Sequence, residues 1–131
     1  MDRERLVHAA ATHGVELLVQ FGSTITGTTH PGSDLDLAVL LREAPGSYGR
    51  QSELHAALQS SVPDREVDLA ILNHADPLLL KQVTEHGRLL HGDPNRWQEF
   101  RAYAFRRYQD HRRFLQMERD YVDRAIAAAR R

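Results

Sequence analysis

Short apolar runs alternate with helical patterns along the first part of the chain. Three runs, at residues 15–21, 36–41 and 66–72, are short and bounded by turn residues, which is typical of buried strands. An amphipathic helix is predicted over residues 3–13, and Gly14 directly after it is the expected C-terminal stop. The pattern therefore predicts a helix followed by strands that are separated by other elements.

The same pattern continues after the second strand. A helix is predicted over residues 47–59, and a strand–helix–strand order suggests a crossover connection within one sheet. Asp76 is the expected N-cap of a helix over residues 77–85, with Pro77 in its first turn. Residues 88–91 are expected to form a short edge strand.

A long helical pattern closes the chain. Neither proline nor glycine follows Pro94, so residues 96–129 are expected to form one long helix or two in sequence. One apolar stripe comprises Trp97, Phe100, Ala104, Tyr108, His111, Leu115, Val122 and Ile126. A second comprises Tyr103, Phe114, Met117, Tyr121 and Ala125. One stripe suffices to dock a helix on a sheet, so the second indicates either a partner surface or burial on two sides.

The order of elements predicts an α/β (α+β) fold, with a small mixed sheet flanked by helices and a long C-terminal helical segment. The 131 residues suffice for a single domain, which we divide into a core (1–93) and a C-terminal helical extension (94–131). We expect the extension to pack on the core, on a partner, or on both. The chain has no cysteine, no apolar stretch of membrane-spanning length and no signal-peptide pattern at its start, so we expect a soluble cytoplasmic protein without membrane contact.

Charge is unevenly distributed, although the formal net charge is only −1. Through Asn95 the chain has seven lysines and arginines against thirteen acids, and from Arg96 onward it has ten arginines against five acids. A basic tail suits nucleic acid, an acidic protein partner or plain solvent exposure. The charge pattern leaves these alternatives open, and we expect no direct nucleic-acid binding. The second apolar stripe is the feature that suggests a protein partner in a hetero-oligomer.

Two candidate halves of a binding site lie between residues 21 and 40. Gly22 and Ser23 follow the first strand, where a glycine permits a sharp turn and exposed N–H groups form an anion site. Asp34 and Asp36 open the second strand and lie two residues apart, so both carboxylates point to one face. Neighbouring carboxylates repel each other unless a cation lies between them, and a hard divalent ion prefers oxygen ligands.

A third acid, Asp68, lies on the next predicted strand. If that strand is adjacent to the second, its carboxylate joins the other two. A phosphate site that faces a divalent-metal site is the minimum equipment for phosphoryl or nucleotidyl transfer. The residue pattern thus predicts catalytic and metal-binding roles for Asp34, Asp36 and Asp68, and phosphate binding by Gly22 and Ser23.

The arrangement of Gly-Ser, ten residues, Asp-x-Asp and a later strand Asp resembles the DNA polymerase β-type nucleotidyltransferase superfamily. The small size and surrounding sequence are most similar to the minimal nucleotidyltransferase (MNT) antitoxins, which are paired with HEPN toxins. The resemblance is close over residues 15–72 and looser elsewhere. It implies one or two Mg²⁺ ions, ATP as donor, and a tyrosine hydroxyl of a HEPN RNase toxin as acceptor, so that AMP transfer neutralises the toxin.

Two alternatives to this function stay open. One is a non-catalytic antitoxin that acts by binding alone, and the other is a small-molecule nucleotidyltransferase of the aminoglycoside-modifying type. Relatives often carry a basic residue where this chain has Thr26, so one phosphate contact is missing from the pattern. His30, Arg42 and Arg65 flank the candidate site and have no assigned role.

Overall fold

The computed structural model describes residues 1–22, 34–43, 46 and 48–130. Within these ranges, helices and strands follow one another as the apolar pattern predicts. In chain order they are α1 (Arg3–Thr12), β1 (Val15–Phe21), β2 (Leu35–Leu41), α2 (Tyr48–Gln59), β3 (Val67–Ile71), α3 (Pro77–His86), β4 (Arg88–His91) and α4 (Pro94–Ala129). The predicted fold class, with a small sheet, flanking helices and a long C-terminal helix, is confirmed.

The four strands form one mixed sheet in the order β3-β2-β1-β4. β1 pairs antiparallel with both β2 and β4, and β2 pairs parallel with β3. The predicted crossover through α2 and the predicted edge strand are both confirmed. This topology brings the C-terminal end of β1 and the N-terminal ends of β2 and β3 together at the same end of the sheet.

Helices cover both faces of the sheet and give the molecule two apolar layers. On one face, α1 and α2 contribute Leu6, Ala9, Ala10, Leu54 and Leu58 to the buried core. On the other face, α3 and α4 contribute Leu80, Val83, Trp97, Phe100 and Ala104. Both faces of the central strands are therefore buried, which explains why β1 and β2 are apolar nearly throughout.

Alternation along β2 determines which layer its acid faces. Ala38 and Leu40 belong to the layer formed with α3 and α4, and Asp36 precedes Ala38 by two residues. Ala70 packs against the same layer and follows Asp68 by two residues on β3. Since residues two apart on a strand share one face, both acids face the side of the sheet that carries α3.

Gln59, the last residue of α2, holds the start of β3 in position. Its Nε2 donates to the carbonyl of Val62 at 2.9 Å and to that of Arg65 at 2.6 Å. Its Oε1 accepts from the backbone N–H of Val67 at 2.8 Å. One side chain thus satisfies three backbone groups in the loop that leads directly to Asp68.

Asn73 performs a similar task at the opposite end of the sheet. Its Oδ1 accepts from the backbone N–H of Leu41 at 2.9 Å, and its Nδ2 donates to the carbonyl of the same residue at 3.0 Å. The loop after β3 is thereby joined to the end of β2. The α3 helix then begins at its expected N-cap, because Asp76 Oδ1 accepts from the N–H groups of Leu78 and Leu79.

The C-terminal helix α4 is one continuous helix of 36 residues. Its first part is joined to the sheet domain by the buried Trp97, Phe100 and Ala104, and by an ion pair between Arg96 and Glu16 at 2.6 Å. From Arg112 to Arg130 every residue is exposed. Over this half of the helix, neither apolar stripe is buried against the sheet domain, so the predicted alternative of burial on two sides does not apply here.

None of the helices in the described part of the chain combines the length and apolar character that crossing a membrane requires.

Replacing Gln59 with alanine is expected to lower the free energy of unfolding by about 1–3 kcal/mol, because part-buried backbone groups lose their partners. Gln116, which bonds only to exposed Asp120 on α4, provides the matched control, and Gln116→Ala is expected to change stability by less than about 0.5 kcal/mol. Urea unfolding of the two variants measures the difference. Equal stabilities would show that Gln59 does not hold the start of β3.

Candidate functional site

Gly22 occupies a position that no other residue fits. It directly follows β1, and its φ of +84° lies in the left-handed region that favours glycine. A Cβ added here would collide with the carboxylate of Asp36. The backbone at the end of β1 therefore runs directly against an acid of the candidate site, and phosphate binding at Gly22 stays a prediction.

Asp36 and Asp68 lie side by side. Their Cα atoms are partners in the parallel register between β2 and β3, and both side chains face α3. Burial raises the pKa of Asp36 above its ordinary value, and the negative charges of Asp68 and Asp34 raise it further, together with a hydrogen bond to Asp68. The predicted meeting of the second and third acids is thus found in the structure, and it is electrostatically unfavourable.

Asp34 lies next to this pair, just before the start of β2. It precedes the first paired residue of β2 and is exposed, but its charge still acts on Asp36. Within the described ranges, no three histidine, aspartate or glutamate side chains come together closely enough to hold a metal ion. The three-acid metal site therefore stays a prediction, with Asp36 and Asp68 as the two members that the fold brings together.

Several predicted positions lie outside the described residues. They are Ser23, Thr26, His30 and the rest of the segment between Gly22 and Asp34. Arg42 lies beyond the opposite end of β2 from Asp36, where its backbone N–H donates to the carbonyl of Gly14. Arg65 lies at the same end of the sheet as Asp36 and Asp68, two residues before β3, and its backbone carbonyl accepts a hydrogen bond from Gln59.

The chemistry of the described acids fits a divalent cation. Asp36 and Asp68 supply carboxylate oxygens on adjacent strands, which are the ligand type that Mg²⁺ prefers. Like charges raise the pKa of Asp36, so a cation between the carboxylates would relieve their repulsion. The missing side chain of Gly22 leaves the space that the Asp36 carboxylate occupies.

A cavity of about 470 Å³ adjoins the two acids. Described residues that line it are Phe21, Gly22, Asp36, Asp68, Ala70, Leu79, Gln82 and His86. Three of these, on α3, were absent from the sequence prediction. Leu79, Gln82 and His86 lie three and four residues apart, so their spacing predicts a shared helix face, but it does not show that this face lines the cavity.

Asp36→Asn is expected to stabilise the protein in the absence of divalent ions. The folded-state pKa of Asp36 is raised, so its ionisation costs stability as the pH rises through that value, and the neutral amide removes the cost. We expect the melting temperature in EDTA at neutral pH to rise by on the order of a few degrees. Asp110→Asn on exposed α4 is the control, and a lower melting temperature for Asp36→Asn would contradict the repulsion.

Comparison with known proteins places this geometry in a family. The model of the family "Polymerase beta, Nucleotidyltransferase" matches residues 4–95. The chain is 34% identical over 108 residues to the protein adenylyltransferase MntA of Shewanella oneidensis, and the match covers 82% of this chain and 73% of MntA. The range that the family model matches spans Gly22, Asp36 and Asp68.

Solved structures extend the similarity to the long helix. One, a toxin–antitoxin complex with AMP-PNP, contains a chain with 28% identity and a TM-score of 0.75, covering 97% of this chain and 99% of the other. Another is a tri-AMPylated Shewanella oneidensis HEPN toxin in complex with an MNT antitoxin, with 25% identity, a TM-score of 0.69 and 96% coverage of both chains. The chain therefore belongs to the polymerase β nucleotidyltransferase family and, within it, to the minimal nucleotidyltransferase (MNT) antitoxins.

Proposed function

We propose that this protein is a Mg²⁺-dependent nucleotidyltransferase that acts as an antitoxin, transferring AMP from ATP to a tyrosine hydroxyl of a cognate HEPN RNase toxin. The observation that carries the proposal is the in-register pair of Asp36 and Asp68 beside Gly22. Two relatives support the reaction: the protein adenylyltransferase MntA and the MNT antitoxin in complex with an AMPylated HEPN toxin. A toxin–antitoxin complex with AMP-PNP supports ATP as the donor.

Each residue of the site has a distinct role in this proposal. The backbone N–H groups at Gly22 and Ser23 bind the triphosphate, and the absence of a side chain at Gly22 lets Asp36 lie directly against this turn. Asp34, Asp36 and Asp68 hold Mg²⁺, which supplies charge stabilisation for the phosphates when it is bound. Asp68 lies on an edge strand, so it is the acid closest to an acceptor that approaches from that side.

The transfer is a displacement at the α-phosphorus of ATP. The acceptor oxygen forms a bond to the α-phosphorus, and the bond from this phosphorus to the α,β-bridging oxygen breaks. Pyrophosphate leaves with the electron pair, and the proton of the hydroxyl passes to the Asp68 carboxylate. Modification of the toxin tyrosine would then silence the RNase.

The exposed half of α4 is the proposed docking surface for the toxin. Its exposed apolar residues are Phe114, Leu115, Met117, Tyr121, Val122 and Ile126. A contiguous apolar surface of this kind on a soluble protein is typical of an interaction site. A chain of the complex between a HEPN toxin and an MNT antitoxin covers 96% of this chain, so it has a counterpart of most of this helix. In this proposal, the C-terminal extension packs on the core through Trp97, Phe100 and Ala104 and on the toxin through its second half.

A transfer assay tests the catalytic part of the proposal. The protein is incubated with Mg²⁺, α-labelled ATP and a candidate HEPN partner. We expect label on the partner, and we expect Asp36→Ala to lower the rate by at least about 100-fold because charge stabilisation at the phosphates is lost. Asp110→Ala removes an exposed carboxylate from α4 and is expected to retain the rate.

Three outcomes distinguish the functions that the sequence leaves open. Label on the partner that depends on Asp36 supports the protein adenylyltransferase. A stable complex without label from any of the four nucleotides would instead support an antitoxin that acts by binding alone. Label on an added aminoglycoside, with none on the protein partner, would support the small-molecule enzyme.

A charge placed on the apolar surface of α4 tests the docking part. Met117→Asp is expected to weaken the complex with the HEPN partner by at least about tenfold, because a carboxylate would be buried against apolar groups. Gln116→Asp introduces the same charge one residue earlier, about 100° around the helix and outside the arc of the apolar residues, and is expected to have little effect. Titration calorimetry measures both affinities, and equal weakening by the two variants would exclude this surface.

A further inference from the structure

We propose that the cavity wall formed by α3 binds the adenine base of the donor nucleotide, with the side-chain amide of Gln82 as the group that recognises it. This inference rests on the proposed function. It assigns a base-specificity role to a residue that lies outside the Gly-Ser and Asp-x-Asp motifs.

The position of the cavity determines which part of a nucleotide can occupy it. Gly22, Asp36 and Asp68 line one side, where the phosphates are expected, and α3 lines another. The base is joined to the α-phosphate through a single ribose, so it must lie close to the acids. The α3 wall is within this cavity of about 470 Å³, a volume typical of small-molecule sites.

The lining chemistry suits a flat heterocyclic ring. Phe21, Ala70 and Leu79 supply apolar surface for the faces of a base. Gln82 adds one carbonyl acceptor and two N–H donors at the exposed mouth of the cavity. Its amide makes no hydrogen bond to another residue in the described part of the chain, so its donors and acceptor are available to a ligand.

Adenine matches this amide better than guanine does. A glutamine amide can accept from the adenine N6 amino group and donate to N7, which forms two parallel hydrogen bonds. Guanine presents two acceptors, O6 and N7, at the same edge, so the amide oxygen would face a second acceptor. Gln82 thereby distinguishes the two purines by the pattern of donors and acceptors.

The acceptor tyrosine is a less suitable occupant of this wall. It belongs to a folded protein, which needs an open approach to Asp68, whereas a mononucleotide can enter a concave cavity. The edge position of β3 leaves that approach on the outer side of the sheet. The α3 side is consequently assigned to the donor.

Nucleotide binding by the full-length chain tests the assignment without relying on turnover. Affinities for AMP-PNP and GMP-PNP are measured by titration calorimetry with Mg²⁺ present. Wild-type protein is expected to prefer AMP-PNP, and Gln82→Ala is expected to reduce that preference by about tenfold. Gln82→Arg, whose guanidinium donates to both guanine acceptors, is expected to shift the preference toward GMP-PNP.

Glu85 provides the matched control on the same helix. It pairs with Lys81 at 3.4 Å and does not line the cavity, so Glu85→Ala is expected to keep the wild-type preference. Circular dichroism and thermal melting verify that each variant is folded, and a misfolded Gln82→Ala is replaced by the isosteric Gln82→Glu, which loses the donor to N7.

Two negative results have different meanings. If wild-type protein binds AMP-PNP and the Gln82 variants keep its preference, the base-recognition role is overturned while the proposed function stands. If wild-type protein binds neither nucleotide, the proposed donor is overturned, and this inference with it.

Discussion

The parallel pairing of β2 with β3 is the constraint on which the candidate site depends. It sets Asp36 opposite Asp68, although the two residues are 32 positions apart in the sequence. The crossover through α2 makes this pairing possible, because it returns the chain to the end of the sheet at which β2 begins. The pairing has an electrostatic cost, since burial and the neighbouring acids raise the pKa of Asp36. Gly22 adds a steric constraint, because any larger residue would collide with that carboxylate. A fold optimised for stability alone would avoid such a cluster, so its presence supports a ligand-binding role.

Local signals predict most of the fold. The bounds of β1 agree with the prediction residue for residue, because glycines stand directly before and after an apolar run. The predicted β2 differs from the observed strand by one residue at its start, and the predicted β3 by one residue at each end, because hydrogen bonding to a neighbour rather than composition decides these limits. Strand order and the roles of Gln59 and Asn73 were not predictable in this way. Both side chains bond to backbone groups that the folded topology brings to them, and a single sequence carries little information about such contacts.

The candidate site likewise contains residues that local motifs predict and residues that only the folded structure reveals. Gly22 and Asp36 were predicted from motifs within one stretch, and the parallel register joins Asp68 to them. The cavity wall on α3 escaped prediction because Gln82 and His86 are ordinary polar residues on an amphipathic helix, and only packing against the sheet shows that they face the acids. Periodicity on α4 predicted two apolar stripes but not their division along the helix. The first turns cover the sheet, while the residues beyond His111 have no neighbouring element in the described structure.

The position of α4 in the fold relates the proposed docking surface to the acids of the candidate site. Asp36 and Asp68 face the side of the sheet on which α3 and α4 pack, so the exposed half of α4 extends from the layer that contains the acids. The contact between Lys81 of α3 and the ring of Tyr108, with 4.7 Å from Nζ to the ring centroid, lies near the point where α4 leaves the domain. In the proposed function, a partner docked on the exposed half is tethered to the chain that carries the acids. Tethering of this kind raises the effective concentration of an acceptor hydroxyl without any additional contact at the acids. The long helix can therefore promote the transfer reaction even though none of its residues needs to touch the reacting atoms.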